Sequence, residues 1–410
     1  MRKIVLLVSM FAIAANMMAA DHVMAATKHA PKQEVSATLN LSLQEAQDYA
    51  VAQNRSLKNA DLAVQKAYAT RWQTIASMLP SVDMSWAYQS MMGYKMNFGG
   101  MPIEMPDNGT FGITASVGIN GQAIVGALLN NTAIEMQKLN LEISEDNLRA
   151  SVKSSYASVL VLEDVVKLLD SSLKNIENLA AMTQRSVEVG AAEQTTADQI
   201  LVRVNTLKNN INANKRSTQL AINALKVLLN VPAETELTLT TQLSDMLSAE
   251  AIVALLGKDF VLENNLSYQT LAKNVELAKK NVHMAGWAYG PTIGVGYQYS
   301  EKDYFGKKEG FNMTPPNALS VQVSMPIWSS GKRAAGVVEK KIALEEARNT
   351  FEETADNLGI QNEQLRYNLQ NAYETYTNEQ ENMGVTQRVF DNTSLKFQQG
   401  VASNLDLVNA

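Results

Sequence analysis

The sequence predicts a mainly α-helical fold that also carries membrane-type β-strands, built by duplicating one strand-strand/long-helix repeat. Three observations predict it: landmarks that recur at a shift of about 210 residues, four short segments that alternate apolar and polar residues, and proline-free stretches with helical periodicity.

The duplication constrains everything else. Asn54-Arg55-Ser56 is matched by Asn265-Leu266-Ser267, and a proline, Pro80 or Pro291, follows each at the same distance. After the prolines, Ser81-Val82-Asp83-Met84-Ser85-Trp86-Ala87-Tyr88 and Thr292-Ile293-Gly294-Val295-Gly296-Tyr297-Gln298-Tyr299 alternate in one phase. Asp146-Asn147-Leu148 and Asp356-Asn357-Leu358 then lead, at equal spacing, to Gly190 and Gly400. A first repeat over 40–232, an inter-repeat equatorial segment over 233–260 and a second repeat over 261–410 follow from that order.

Met1-Arg2-Lys3, the apolar run from Ile4 to Ala15 and small residues through Ala20 have the order of a secretory signal peptide, 1–20, with cleavage as late as 26 the other choice. A membrane anchor is the alternative, although the run falls short of the roughly 20 apolar residues a spanning helix needs. The chain has no cysteine, so neither disulfides nor a lipidated cysteine tether the exported protein, and any membrane attachment must come from the fold. A net charge of -6 leaves no broad basic surface, which argues against nucleic acid as a partner.

The first helix, expected over 42–78, opens with Ser42-Leu43-Gln44-Glu45, a capping box whose serine and glutamate satisfy free backbone amides. Strands follow near 81–89 and 111–120, and their counterparts near 292–300 and 318–327. Val82, Met84, Trp86 and Tyr88 form one apolar face; Ile113, Ala115, Val117 and Ile119 the second; Ile293, Val295, Tyr297 and Tyr299 the third; Leu319, Val321, Val323, Met325 and Ile327 the fourth. Strands this long, at about 3.3 Å per residue, cross the outer-membrane apolar band when tilted, and terminal aromatics such as Trp86, Tyr297 and Trp328 suit its interfaces. Hairpins packed on a soluble core are the alternative. Gly- and Pro-rich loops, Gly93 to Gly109 and Glu301 to Pro316, join each pair. Four strands cannot close a barrel, and an open edge in lipid would strand backbone donors and acceptors, so subunits must pool strands; three subunits give twelve.

Long helices are expected over 123–188 and 194–230. Val152, Val159, Val166, Leu173, Ala180 and Val187 recur every seven residues beside Leu148, Leu162, Leu169 and Ile176, a coiled-coil register. Ile200, Val204, Leu207, Ile211, Ala221, Leu225 and Leu228 resume it beyond Gly190, so the pair reads as an antiparallel hairpin with an arm of roughly 100 Å. Against the first repeat, the second lacks about 31 residues after Ala410, which reads as a truncated last helix.

Reactive constellations are missing. His22, His29 and His283 are scattered, and no G-x-S-x-G elbow, phosphate loop or HExxH pair occurs, so neither an enzyme, a metal site nor a cofactor is expected. Two features have functional geometry. At the hairpin tips, Val189-Gly190-Ala191 and Gly400-Val401-Ala402-Ser403 are small enough to let another helical hairpin approach, and they also suit an ordinary turn. Just past the tips, Asp198 and Asp406 would be repeated by a threefold assembly into carboxylate rings at an aperture, or are ordinary exposed acids.

Leu41-Ser42-Leu43-Gln44-Glu45-Ala46, Leu79-Pro80-Ser81-Val82, the strand-to-helix motif Met325-Pro326-Ile327-Trp328-Ser329-Ser330-Gly331-Lys332-Arg333 and the tip Gln399-Gly400-Val401-Ala402-Ser403-Asn404-Leu405-Asp406 together resemble the TolC-like outer-membrane efflux proteins. Pro326, Trp328 and Gly331 carry the second motif. The resemblance covers nearly all the mature chain. It departs in the first copy, where Gly118 stands at the position of Pro326 and Thr196 at that of Asp406. It implies a homotrimer in outer-membrane lipid, with a trimeric twelve-strand β-barrel and a long antiparallel coiled-coil helical tunnel. It further implies tips docked to a periplasmic adaptor protein and, through it, an inner-membrane transporter, for passive conduction in a tripartite efflux or type I secretion system. A periplasmic adaptor with one coiled-coil hairpin is the competing reading; an envelope enzyme and a soluble helical scaffold explain less of the pattern.

Overall fold

The computed structural model describes residues 38–104, 106–190, 192–246, 249–305, 315–399 and 401–410. The expected signal peptide, His22 and His29 lie outside these residues, as do the tip residues Ala191 and Gly400. In chain order the elements are β1 (Thr38–Leu41), α1 (Leu43–Gln53), α2 (Arg55–Ala76), β2 (Ser81–Gln89), β3 (Lys95–Phe98), β4 (Met101–Glu104), β5 (Asn108–Asn120), α3 (Gly121–Glu188) and α4 (Gln194–Leu229). There follow β6 (Glu236–Leu239), α5 (Leu243–Met246), α6 (Ala249–Leu256), α7 (Leu266–Gly286), β7 (Thr292–Tyr304), β8 (Asn317–Ser324), α8 (Lys332–Gln398) and α9 (Asn404–Asn409). They form two compact units, one from 61–140 and 266–354, the other from 38–60, 141–265 and 355–410.

The first unit holds an antiparallel sheet of order β2-β5-β7-β8. Its register places like with like, because a strand's side chains alternate faces and a one-residue slip would invert them. Val82 pairs with Ala115, which pairs with Tyr297, which pairs with Leu319, and the row Val117, Val295, Val321 lies on the same side. The opposite face carries Ser81, Ser116, Gly296 and Ser320 in one row and Asp83, Thr114 and Gln298 in the next. Among the described residues β2 and β8 each have a single neighbouring strand.

Several features differ from the sequence expectation; β5 begins earlier, at Asn108, and β7 runs on to Tyr304. The helix expected over 42–78 is two helices, because Asn54 leaves helical geometry and its side-chain oxygen accepts from the amides of Ser56 (2.8 Å) and Leu57 (3.2 Å), capping α2. The strand expected to reach 327 stops at Ser324, whose partner Thr292 is the first residue of β7, so among the described residues Met325 to Ile327 pair with no strand. The loop after β2 contains an unforeseen hairpin, β3–β4, turned through Gly99 (φ 60°) and Gly100 (φ 91°), the backbone a tight hairpin turn demands.

The second unit is held by an apolar core of Leu41, Ala46, Ala50, Leu57, Leu148, Val152, Tyr156, Leu160, Leu225 and Leu229 around the parallel pair β1–β6. At its centre Tyr156, wholly buried, donates from its hydroxyl to the Leu41 carbonyl (3.0 Å) and accepts from the Thr241 amide (3.0 Å). Pairs Glu177–Lys208 (2.8 Å) and Asp170–Lys215 (3.8 Å) link α3 to α4 and mark their antiparallel register; both are exposed and add little stability. Asn54 Nδ2 also donates to the Leu228 carbonyl at the far end of α4 (2.8 Å). Asn54→Ala should therefore lose a helix cap and a long-range hydrogen bond, about 2 kcal/mol in a urea titration. Asn54→Asp, which keeps the cap, should recover roughly half of that.

Candidate functional site

Strand alternation gives the sheet one apolar face, and none of the described residues covers it. Trp86 is 68% exposed on β2, and Met84, Leu319, Val321 and Val323 are comparably bare, although apolar side chains of this size ordinarily go inside. The area joins all four strands into one patch, larger than scattered surface residues account for. No described helix is long and apolar enough to cross a membrane.

Beyond β8 the chain reverses into α8 through Ser330 (φ 48°) and Gly331 (φ 82°), both left-handed. Arg333 secures the turn: its Nη1 donates to the Pro326 carbonyl (2.8 Å), its Nε to Ser329 Oγ (3.0 Å), and its guanidinium lies 5.2 Å from the Tyr289 ring centre. Of the expected motif residues, Pro326 and Gly331 thus shape the reversal, while Trp328 projects outward, 85% exposed. Sequence reasoning placed Arg333 inside the motif but gave it no role, although a basic residue two positions after the glycine stood out. At the matching start of α3, a Cβ on Gly121 would lie 2.1 Å from the Trp287 ring, so only glycine admits that indole. Such non-local packing leaves no sequence signal.

The hairpin tips are built alike. Gly190 (φ 75°) ends α3, its amide donating to Val187 O (2.9 Å), and Ala192 N donates to Ser186 O (3.2 Å). At the second tip Ala402 N donates to Lys396 O (3.2 Å), the same bond at the same place in the other copy. Val189 and Val401 are exposed at the two ends. Ser403 caps α9 in a full capping box with Asp406. Asp406 accepts from the Ser403 hydroxyl (2.7 Å) and amide (2.9 Å), and these bonds hold its carboxyl below the ordinary value. Asp198 instead stays exposed and accepts from Gln194 Nε2 (2.9 Å). The two acids are therefore held differently: Asp406 is an integral part of a helix cap, whereas Asp198 bonds to a side chain one turn back on α4.

Between α3, α4, α8 and α9 runs a cleft of about 590 Å³, lined by Ile176, Leu179, Met182, Ile200, Phe390 and Phe397 with Arg203 at its side. Ionic contacts gather elsewhere, where Lys273 bridges Glu135 (2.7 Å) and Glu276 (3.3 Å), and Lys280 bridges Glu276 (2.8 Å) and buried Thr132 (2.6 Å). The hydrogen bond from Lys280, opposed by burial and aided by Lys273, keeps the Glu276 carboxyl below its usual range. These charges pin α7 to α3. Among the described residues no group of three or more His, Cys, Asp or Glu is placed to hold a metal ion, and His283 sits alone on α7.

The sequence model of the outer membrane efflux protein family matches residues 47–231 and 259–410. No curated protein sequence matches the chain. Among solved structures, the outer membrane protein VceC of Vibrio cholerae superposes with a TM-score of 0.73 at 13% identity, over 89% of this chain and 88% of that one. The open-state MtrE outer membrane channel of Neisseria gonorrhoeae gives 0.71 at 17%, over 90% and 82%. The CmeC outer membrane channel of Campylobacter jejuni gives 0.70 at 15%, over 90% and 80%. At these identities the likeness speaks for the fold.

Proposed function

Because the chain belongs to the outer membrane efflux protein family, we propose that it works as a homotrimer whose subunits pool their strands into one twelve-strand barrel. The chain is an outer-membrane efflux channel subunit, and the family is one of channels rather than enzymes. The observation that carries the trimer is the sheet with one continuous apolar face and two unpaired edges. In hydrocarbon each unpaired backbone group costs several kcal/mol, so the edges must meet other strands, and closure needs more strands than one chain has.

In this reading the repeats over 40–232 and 261–410 each supply two strands and a helical hairpin, and the segment over 233–260 lies between them. The tips, with Val189, Gly190, Ala191, Gly400, Val401, Ala402 and Ser403, meet a periplasmic adaptor, which links the duct to an inner-membrane transporter. Small residues there suit close approach of a second helical hairpin. Conduction is passive, with energy supplied by the transporter. Asp198, exposed at the start of α4, is the better candidate for an aperture carboxylate; Asp406 is occupied with its cap. The alternative, that the chain is itself the adaptor, is not favoured by the family match.

The test is the mass of the detergent-extracted protein by light scattering with the detergent subtracted. Three times the 44.9 kDa of the full sequence, less any cleaved leader, is expected; a monomer in the outer membrane overturns the pooled barrel.

A further inference from the structure

The chain already contains one copy of the joint it must make with its neighbour. β5, the second strand of the first repeat, pairs with β7, the first strand of the second repeat, in an unbroken ladder from Asn108↔Tyr304 to Asn120↔Thr292. In a closed ring β8 must meet the partner's β2 in the same way. The within-repeat ladders set the correspondence: Ser81 pairs with Ser116 in one repeat and Thr292 with Ser324 in the other, so β2 maps onto β7 and β5 onto β8. Carrying Ala115↔Tyr297, Val117↔Val295 and Ile119↔Ile293 across, we infer that Val323, Met325 and Ile327 pair with the partner's Trp86, the partner's Met84 and the partner's Val82, respectively. The inference rests on the pooled-barrel reading and adds its register.

Two features that did not enter the mapping agree with it. The first is facial: the pairs of Val321, Val323, Met325 and Ile327 join the apolar face of β8 to the apolar face of the partner's β2, while Ser324 meets the partner's Ser85 on the other side. The second is backbone direction. Ser300 N donates to Pro316 O and Phe305 N to Asp107 O, each 2.8 Å. Since antiparallel strands present alternate residues to each side, even-numbered β8 residues turn to β7 and odd-numbered ones to the free edge. By the same alternation the even-numbered residues of β2 face its free edge. The register therefore sets outward amide against outward amide. Pro326, which has no amide hydrogen, falls on the turned-away set, where an edge strand tolerates proline.

The register also accounts for the bare stretch beyond β8. Residues 117–120 of β5 pair only with β7, past the end of β2, and their counterparts in the second repeat are 325–328. Among the described residues of one chain that stretch pairs with no strand, and Ile327 is 95% exposed. On assembly it extends β8 by four residues.

The native chain has no cysteine, so paired cysteines report the register without background. Ser85 and Ser324 form a pair of the non-hydrogen-bonded type, with α-carbons about 4.5 Å apart, inside disulfide range. The shifted pairs, Asp83 or Ala87 with Ser324, stand about 7–8 Å apart. Mild oxidation of the full-length S85C/S324C protein in outer membranes should give covalent dimers and trimers on non-reducing gels, at least tenfold more than D83C/S324C or A87C/S324C. Faster linkage in a shifted pair overturns the register but keeps strand pooling. No linkage in any pair with a trimeric mass overturns the β8–β2 seam itself. No linkage with a monomeric mass overturns the trimer on which it rests.

Discussion

Ala115→Arg should cost each subunit about 2–4 kcal/mol of membrane stability and deplete the channel from the outer membrane. Ala115 sits on an inner strand, flanked by Val82 and Tyr297, in the middle row of the apolar face, with further apolar rows to either side. A guanidinium there faces hydrocarbon with no partner in reach. Each 1.36 kcal/mol is tenfold, so the insertion equilibrium per subunit falls roughly 30- to 900-fold. Thr114→Arg, one residue along, points to the polar face beside Asp83 and Gln298 and should fractionate as the native protein does. Density-gradient separation followed by carbonate extraction reads both. If Ala115→Arg stays in carbonate-resistant outer membranes at the native level, the apolar face does not meet lipid.

Tyr156→Ala is expected to have the largest effect in the other unit. The ring is wholly buried among Leu41, Val152, Leu160, Leu225 and Leu229, and emptying such a site costs about 3–5 kcal/mol. Tyr156→Phe separates packing from polarity. It keeps the ring but strips the Leu41 carbonyl and the Thr241 amide of their shared partner, which costs about 1–3 kcal/mol. Urea midpoints for the two variants should rank in that order. Equal losses would mean that the hydroxyl, rather than the ring, holds β1 and the segment after β6 together.

The sheet was legible in the sequence because its alternation has period two and one phase in all four segments, which few other folds demand. The long helices were legible from missing prolines and seven-residue recurrence. Asn54 was not read as a break because the helical pattern runs on through it, although its side chain competes with the backbone and favours caps. The end of β8 was misplaced for a different reason. Alternation reports which residues prefer a two-faced surface, whereas strand pairing needs a neighbour, and residues 325–327 have none among the described residues of one chain.

The candidate site was legible in position more than in engagement. Glycine at the first tip announced a left-handed turn, and Gly190 has one. Ser403 and Asp406 have the spacing already recognised at Ser42 and Glu45, so the same rule, applied a second time, would have assigned Asp406 to its cap. The clasp of Trp287 on Gly121 and the hold of Arg333 on Pro326 depend on chain segments meeting in space. No local pattern encodes the first, and the second shows only as a basic residue after a glycine.

Gly121 opens one of the two long helices that follow the strands and Gly331 stands just before the other, yet they answer to different demands. One has an indole ring where a side chain would start; the other has open space and a φ of 82°. Asparagine, which tolerates the left-handed region, is admissible at the second and barred at the first. Each copy in a doubled gene thus drifts under its own constraint, and an identical letter at two equivalent places is no sign of a shared reason for keeping it.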